Sequence, residues 1–201
     1  STVTRRGGTT KITHTWKTET GIAIKHIQTV ESVETGLRVT DEVTLPKQLD
    51  DVARVGINFE LNGGLDQLTY FGSGPFETAP DRSIGKIHRW SSSVADQYVP
   101  YVKPQENGGH VGVRWFTLTN QTNRGLYFQL DKPRMVTVSP MRSRDLAAAT
   151  HNVFVQPSGN TVVTIDAIHR GVGTASCGPD TLAKYRIKPG TYKWSWTVLT
   201  F

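Results

Sequence analysis

Four loop carboxylates, six histidines and a single cysteine are the groups in this chain that could do chemistry. A pair of carboxylates about 5 Å apart can act as nucleophile and proton donor on a glycosidic bond. The loop carboxylates are Glu77, Asp81, Glu106 and Asp180. None stands in a context that marks an acid or a nucleophile, so each reads as a turn-former or ion-pair partner. Pro80-Asp81-Arg82 reads as a turn whose arginine reaches a carbonyl or carboxylate. The histidines are His14, His26, His88, His110, His151 and His169. No pair has the spacing of a helical metal site, and no cysteine is near enough in sequence to complete one. His14 and His26 fall in strand-like runs and read as structural. Cys177 would need a histidine or a helix N-terminus to hold it as thiolate, and His169 lies eight residues away across a glycine-rich segment. That segment, Gly171-Val172-Gly173 ahead of Ser176-Cys177-Gly178-Pro179, lacks the residue order of a phosphate loop and the helix that should follow one. Catalytic residues and metal ligands are therefore both assigned as none. The composition of residues 171–180 predicts an exposed, mobile loop with little to anchor it, since glycine raises the entropy of ordering and Val172 is the lone large apolar side chain before Pro179.

The elements that must position these groups are strands. Val55, Ile57, Phe59 and Leu61 alternate with small or polar residues, as do Leu126, Phe128 and Leu130, and Tyr192, Trp194, Trp196 and Val198. Period-two alternation buries one face of a strand and wets the other. Further strand-like runs are residues 11–17, 21–30, 36–45, 110–117, 134–138, 152–156 and 161–169, rich in Val, Ile, Thr and aromatics. Asn62-Gly63-Gly64, Asn107-Gly108-Gly109, Ser158-Gly159-Asn160 and Pro189-Gly190 supply turns between them. Helix is confined to one or two turns near residues 145–150. Residues 72–104 carry four prolines and weak alternation, and read as a long loop that covers a sheet or contacts a ligand or another domain. Trp90, Tyr98, Tyr101 and Trp115 lie in or beside it. Their rings could stack on the apolar face of a sugar or fill a core, and core filling is the reading for Trp115, Trp194 and Trp196.

The chain has 201 residues, of which 36% are hydrophobic and 20% charged. That suits one all-β domain over 1–201 with enough core to need no staples. One cysteine excludes an intramolecular disulfide and a cysteine-rich zinc site, and fits a reducing compartment. The net charge of +6 is dispersed over the sequence, with no nucleic-acid motif beside it, so nucleic acid is not an expected partner. Apolar runs are too short to span a bilayer, no signal peptide is visible, and a membrane is not an expected partner either. The missing initiator Met suggests processing or an excised fragment.

Three segments carry a family resemblance: LTYFGSGPFETAPDR at 68–82, YVPYVKPQENGGHVGV at 98–113 and DAIHRGVGTASCGPDTLAKY at 166–185. In order and spacing they resemble the C-terminal small-chain domain of family 2 β-galactosidases, the family that includes the enteric lactose enzyme. The family block W/F-G-x-G-P-x-E-x-Y-P-D-R corresponds to residues 71–82, with Ala79 where Tyr is usual. The block Y-x-x-P-x-E-N-G corresponds to 101–108. The likeness is close from about residue 50 to 201 and looser before it. An upstream block of the family's domain, L-W-R-A-P-T-D-N-D-like, is absent, so the chain looks truncated on its N-terminal side.

This resemblance implies an all-β antiparallel supersandwich of the galactose-mutarotase-like type. It implies an accessory part of a retaining β-galactosidase that hydrolyses terminal β-D-galactosides such as lactose in the cytoplasm. The domain would pack on a catalytic barrel that carries both catalytic glutamates, and would lend a loop to the active-site mouth. Mg and Na would serve the parent enzyme, and this chain would hold no cofactor. The enteric enzyme's loop bears a Trp that stacks on sugar, and its counterpart falls at or next to Cys177. The substrate-loop candidates are therefore Ser176, Cys177 and Gly178. Further sugar-contact candidates are Trp90, Tyr98, Tyr101, Glu106, Asn107 and His169. An exposed apolar face should permit self-association. Two other readings stand beside this one. A free-standing carbohydrate-binding module would need an exposed aromatic platform. A mutarotase-like epimerase would need a histidine and a carboxylate facing each other in a concave site.

Overall fold

The computed structural model describes residues 1–174 and 178–201. Eleven antiparallel strands form one branched sheet: β1 (Thr2–Arg6), β2 (Thr9–Lys17), β3 (Ala23–Val33), β4 (Gly36–Leu45), β5 (Arg54–Leu61), β6 (Gln67–Gly74), β7 (Lys86–Ser93), β8 (Gly109–Thr119), β9 (Gly125–Ser139), β10 (Thr161–His169) and β11 (Gly190–Thr200). The main run is β1-β2-β3-β4-β11-β9-β8-β6-β7, and β5 joins through β10 to β9. One helix, α1 (Ser143–Ala148), and three short 3-10 turns complete the described elements.

Strand β9 joins the two layers. Residues 126–130 pair with β11 and residues 135–139 pair with β10. The β5–β10 branch therefore leaves the main sheet halfway along β9 and packs over it. Phe59 of β5 stacks on Trp196 of β11 with centroids 5.3 Å apart, and Phe116 stacks on Phe128 at 4.4 Å. The inward positions read from alternation, from Val55 to Leu61, Leu126 to Leu130 and Tyr192 to Val198, all join this core or pack against it. A smaller cluster of Met141, Leu146 and Val155 seats α1 beside it.

Four sequence expectations change. Residues 72–104 are not one long loop, because the end of β6 and all of β7 lie within them, pairing Gly74 with Lys86 and Gln67 with Ser93. Weak alternation there reflects an edge strand with one pairing partner and little burial. The run at 152–156 holds no strand: Asn152–Phe154 form a 3-10 turn and the next two residues are irregular. The two runs at 126–130 and 134–138 are one strand, which continues through Pro133 because β9 itself bulges there: its pairing with β8 passes from Gln129 to Arg134 while β8 advances only from Trp115 to Val113, so Pro133 owes no ladder donor. Trp115 does not fill the core. It lies half-buried between Phe71 and Tyr127 at 6.3 and 6.0 Å, on the side of the main sheet opposite Phe116. His26 does prove structural, donating from Nε2 to the buried Asp41 carboxylate at 2.8 Å.

Candidate functional site

The outward face of the β5–β10–β9 layer carries the polar site. Register places Gly56, Asp166 and Met135 in one row across it, followed by Asn58, Thr164 and Thr137. A bulge between Asp166 and Ile168 shifts the ladder so that His169 lies opposite Arg54. Without the extra residue, alternation would send Asp166 and His169 to opposite faces. Both instead face the same electrostatic neighbour, Arg54.

The segment from Tyr98 to Gly108 roofs this face. Asn107 holds it in shape, accepting from Val99 N–H at 2.8 Å and donating to the Gln105 carbonyl at 2.9 Å. Gly108 takes φ of +71°, a conformation glycine adopts without strain. Its N–H donates to Glu77 at 2.9 Å. Glu77 also accepts from Arg82 at 2.6 Å and from the Tyr101 hydroxyl. Burial pushes the Glu77 carboxyl up, but these three donors outweigh it and hold the group below its usual range. Glu106 takes a two-pronged grip from Arg54, at 2.8 and 3.2 Å, and accepts from Ser143.

Between roof and sheet lies a pocket of about 400 Å³ lined by Arg54, Glu77, Arg82, Tyr101, Glu106, Asn107, Met135, Thr137, His169 and the chain from Val172 to Thr174, among others. Burial pushes His169 below the usual imidazole range, and the Arg54 charge adds to this. One ring nitrogen, Nδ1, is bonded to the Arg170 carbonyl. A carbonyl only accepts, so Nδ1 carries the proton and Nε2 is left as an acceptor. Asp166 lies beneath, with Arg54 Nε 3.5 Å away and, among the described residues, no hydrogen-bond partner on either oxygen. Such a recess offers arginine donors, a neutral imidazole and hydroxyl acceptors to a hydroxyl-rich ligand. Its two lining glutamates are each committed to an arginine, so neither is a free acid or base.

The wall at 171–174 is tied down by groups distant in sequence. Asp81 accepts from the N–H of Val172 at 2.9 Å and of Gly173 at 2.8 Å. Arg170 grips Asp51 through Nε at 2.7 Å and Nη2 at 2.9 Å, and donates to Asp180 and to Thr181 Oγ1 at 2.8 Å. Thr181 in turn donates to the Gly171 carbonyl at 2.7 Å. Thr174 N–H meets the Pro179 carbonyl at 3.1 Å. The expectation of a loop with little to anchor it is corrected for these flanks. Their anchors are polar and come from elsewhere in the chain, so a count of apolar residues could not reveal them.

Of the sequence candidates, Tyr101, Glu106, Asn107 and His169 meet in this pocket. Trp90 and Tyr98 lie outside it. Trp90 is half-buried and donates to the Gly72 carbonyl at 3.2 Å, while Tyr98 bonds to Asn152 and packs on the Met141 cluster. The three rings Trp90, Tyr98 and Tyr101 thus form no common platform. Gly178 is exposed and donates to the Thr174 carbonyl at 2.6 Å. Ser176 and Cys177 lie outside the described residues. The turn at Pro80-Asp81-Arg82 forms, with its arginine on Glu77. Sequence reasoning missed Arg54, Asp166 and the Asp81 grip, and for Arg54 and Asp166 no local signal existed. Among the described residues, no group of three or more His, Cys, Asp or Glu is placed to hold a metal ion, and no helix is long and apolar enough to cross a membrane.

The fold is similar to that of a putative aldose 1-epimerase from Escherichia coli K12, with a TM-score of 0.50 and 10% identity over 99% of this chain and 67% of that one. This likeness concerns architecture alone, and it agrees with the antiparallel mutarotase-like sandwich that the resemblance implied. A β-galactosidase of Leuconostoc mesenteroides subsp. mesenteroides is 30% identical over 147 residues, covering 72% of this chain and 14% of that protein. One of Priestia megaterium is 29% identical over 138 residues, covering 68% of this chain and 13% of that protein. The chain therefore spans about a seventh of the length of these relatives. Since the family described as "Beta galactosidase small chain" matches from residue 1 to residue 198, this chain belongs to that family.

Proposed function

We propose that this chain is the accessory portion of a retaining β-galactosidase, acting on terminal β-D-galactosides such as lactose in the cytoplasm. It packs against a catalytic barrel and presents the wall at residues 172–174 to the mouth of the active site. The barrel supplies the nucleophile, the acid/base glutamate and the Mg and Na ligands. The observation that carries this reading is the polar pocket beside that wall, whose own glutamates are both held by arginines. Such a pocket can bind and orient hydroxyl groups, but it lacks a free carboxylate pair for glycoside cleavage. Exposed Val172 in its lining, and exposed Phe76 and Val102 next in sequence to the lining residues Glu77 and Tyr101, provide apolar surface for the barrel to cover, and for self-association when the barrel is absent.

The chain alone is expected to give no turnover of a chromogenic β-galactoside, and activity is expected when it is assembled with the catalytic portion encoded with it. Turnover by the purified chain that is lost in Glu77→Gln or Glu106→Gln would overturn the reading. In the assembled enzyme, Cys177→Ser is expected to keep most of kcat, because a thiol that only lines a substrate path contributes binding rather than chemistry. Cys177→Trp is expected to change KM more than kcat by adding a stacking surface used in ground and transition states alike. A fall in kcat of about three orders of magnitude in a folded Cys177→Ser enzyme would instead mark that thiol as catalytic.

A further inference from the structure

The geometry points to Asp81 as the residue that positions the substrate-facing wall formed by Val172, Gly173 and Thr174, an inference that rests on the accessory role proposed above. One carboxylate holds two successive backbone N–H groups, Val172 at 2.9 Å and Gly173 at 2.8 Å. Bonds from N–H groups to an ionised acceptor are stronger than neutral ones, and two adjacent peptides held together leave the segment little freedom to rotate. Local sequence is shaped for this approach. A Cβ at Gly171 would lie 2.6 Å from Asp81 Cγ and 2.9 Å from Thr181 Cγ2, so only glycine lets the carboxylate come this close. Gly173 has φ of +59°, a left-handed conformation that glycine adopts without strain, so the chain can turn away directly after the second bonded amide.

Asp81 is itself rigidly placed. It lies in a turn closed by reciprocal backbone bonds between Ala79 and Arg82, at 3.1 and 2.9 Å. Neighbouring side chains of that turn go to different sides of the pocket: Asp81 to the 172–174 wall, and Arg82 to Glu77 at 2.6 Å, whose partners are Tyr101 and Gly108 of the roof. One turn thus sets the separation of roof and wall. Arg170 and Thr181 secure the far leg independently of it, through the Gly171 carbonyl and Asp51, so loss of Asp81 should loosen the wall without detaching the segment.

The test uses the assembled enzyme, read by amide hydrogen exchange and by kinetics on a chromogenic β-galactoside. Asp81→Ala is expected to speed exchange at Val172 and Gly173 by about tenfold or more. It should also raise KM by about five- to twentyfold with kcat within about twofold, since a wall met equally by substrate and transition state acts on binding. Asp81→Asn keeps one acceptor oxygen and is expected to fall between. Gly171→Ala, which crowds the carboxylate without removing it, should shift KM in the same direction. Glu60→Gln, remote from the wall, should change neither readout. The double variant Val172→Ala/Thr174→Ala alters the wall itself and separates the two ideas. A KM shift in the double variant with none in Asp81→Ala would overturn the positioning role and leave the accessory reading intact. If the double variant and Asp81→Ala both leave KM unchanged, the accessory reading falls and the inference falls with it. An Asp81→Ala enzyme with unaltered exchange at Val172 and Gly173 also refutes the positioning role. If Asp81→Ala does not fold, Asp81→Asn and Gly171→Ala carry the same comparison.

Discussion

Asp166→Asn is expected to stabilise the fold at pH 8 and to leave it no more stable than the parent at pH 4. Asp166 is buried at 1% exposure, and neither oxygen has a hydrogen-bond partner among the described groups. Burial raises its pKa from 3.8 to about 7, with Arg54 offsetting only part of the effect. The folded chain therefore keeps a proton that the unfolded chain has released between those two values. Stability attached to this group is fully present below pH 3.8, falls as pH rises toward 7, and is gone above it. The difference corresponds to about 4 kcal/mol at most. An amide without partners costs about 1–3 kcal/mol of its own, so a net gain of about 1–3 kcal/mol is expected at pH 8. Arg54 is not orphaned by the change, because Glu106 still holds it at 2.8 Å. Urea unfolding of both proteins at pH 4 and pH 8 provides the check, and the difference between them isolates this residue from other titrating groups. A difference that does not change with pH would show that Asp166 is charged and well solvated in the fold.

Phe128→Ala is expected to cost about 3–5 kcal/mol, the usual range for emptying a large aromatic site. Phe128 is 1% exposed and lies where the two layers meet. It stacks on Phe116 at 4.4 Å and contacts Phe59 and Trp196 with centroids 6.0 and 6.1 Å away. Those rings come from β5, β8 and β11, each with its backbone held by a ladder, so the cavity cannot close by a simple shift. Tyr127→Ala removes a ring of similar size from the opposite, half-buried face and should cost clearly less. Equal shifts in the urea midpoint for the two variants would mean that the layers are not packed through Phe128.

Alternation was enough to determine much of this protein. The strands at 36–45 and 161–169 have the same limits in the sequence pattern and in the structure, and the inward faces of β5, β9 and β11 follow residue for residue. A strand that buries one face leaves its imprint in its own residues, since every second side chain meets the same environment. β7 left none. As an edge strand with mostly exposed side chains, it is held chiefly by backbone bonds that any sequence can make. The resemblance blocks at 71–82 and 101–108 located Tyr101, Glu106 and Asn107 before any geometry was known, and all three meet in the pocket. Their partners were not legible. Arg54 and Glu106 are 52 positions apart, and Asp81 is 91 and 92 positions from the amides it holds. Only tertiary structure decides such pairings: the roof segment lays Glu106 on Arg54 of β5, and the turn at 79–82 lays Asp81 on the wall beyond β10. Neither pairing leaves a local mark, for a carboxylate that will hold a distant backbone amide has the same neighbours in sequence as one that will face water.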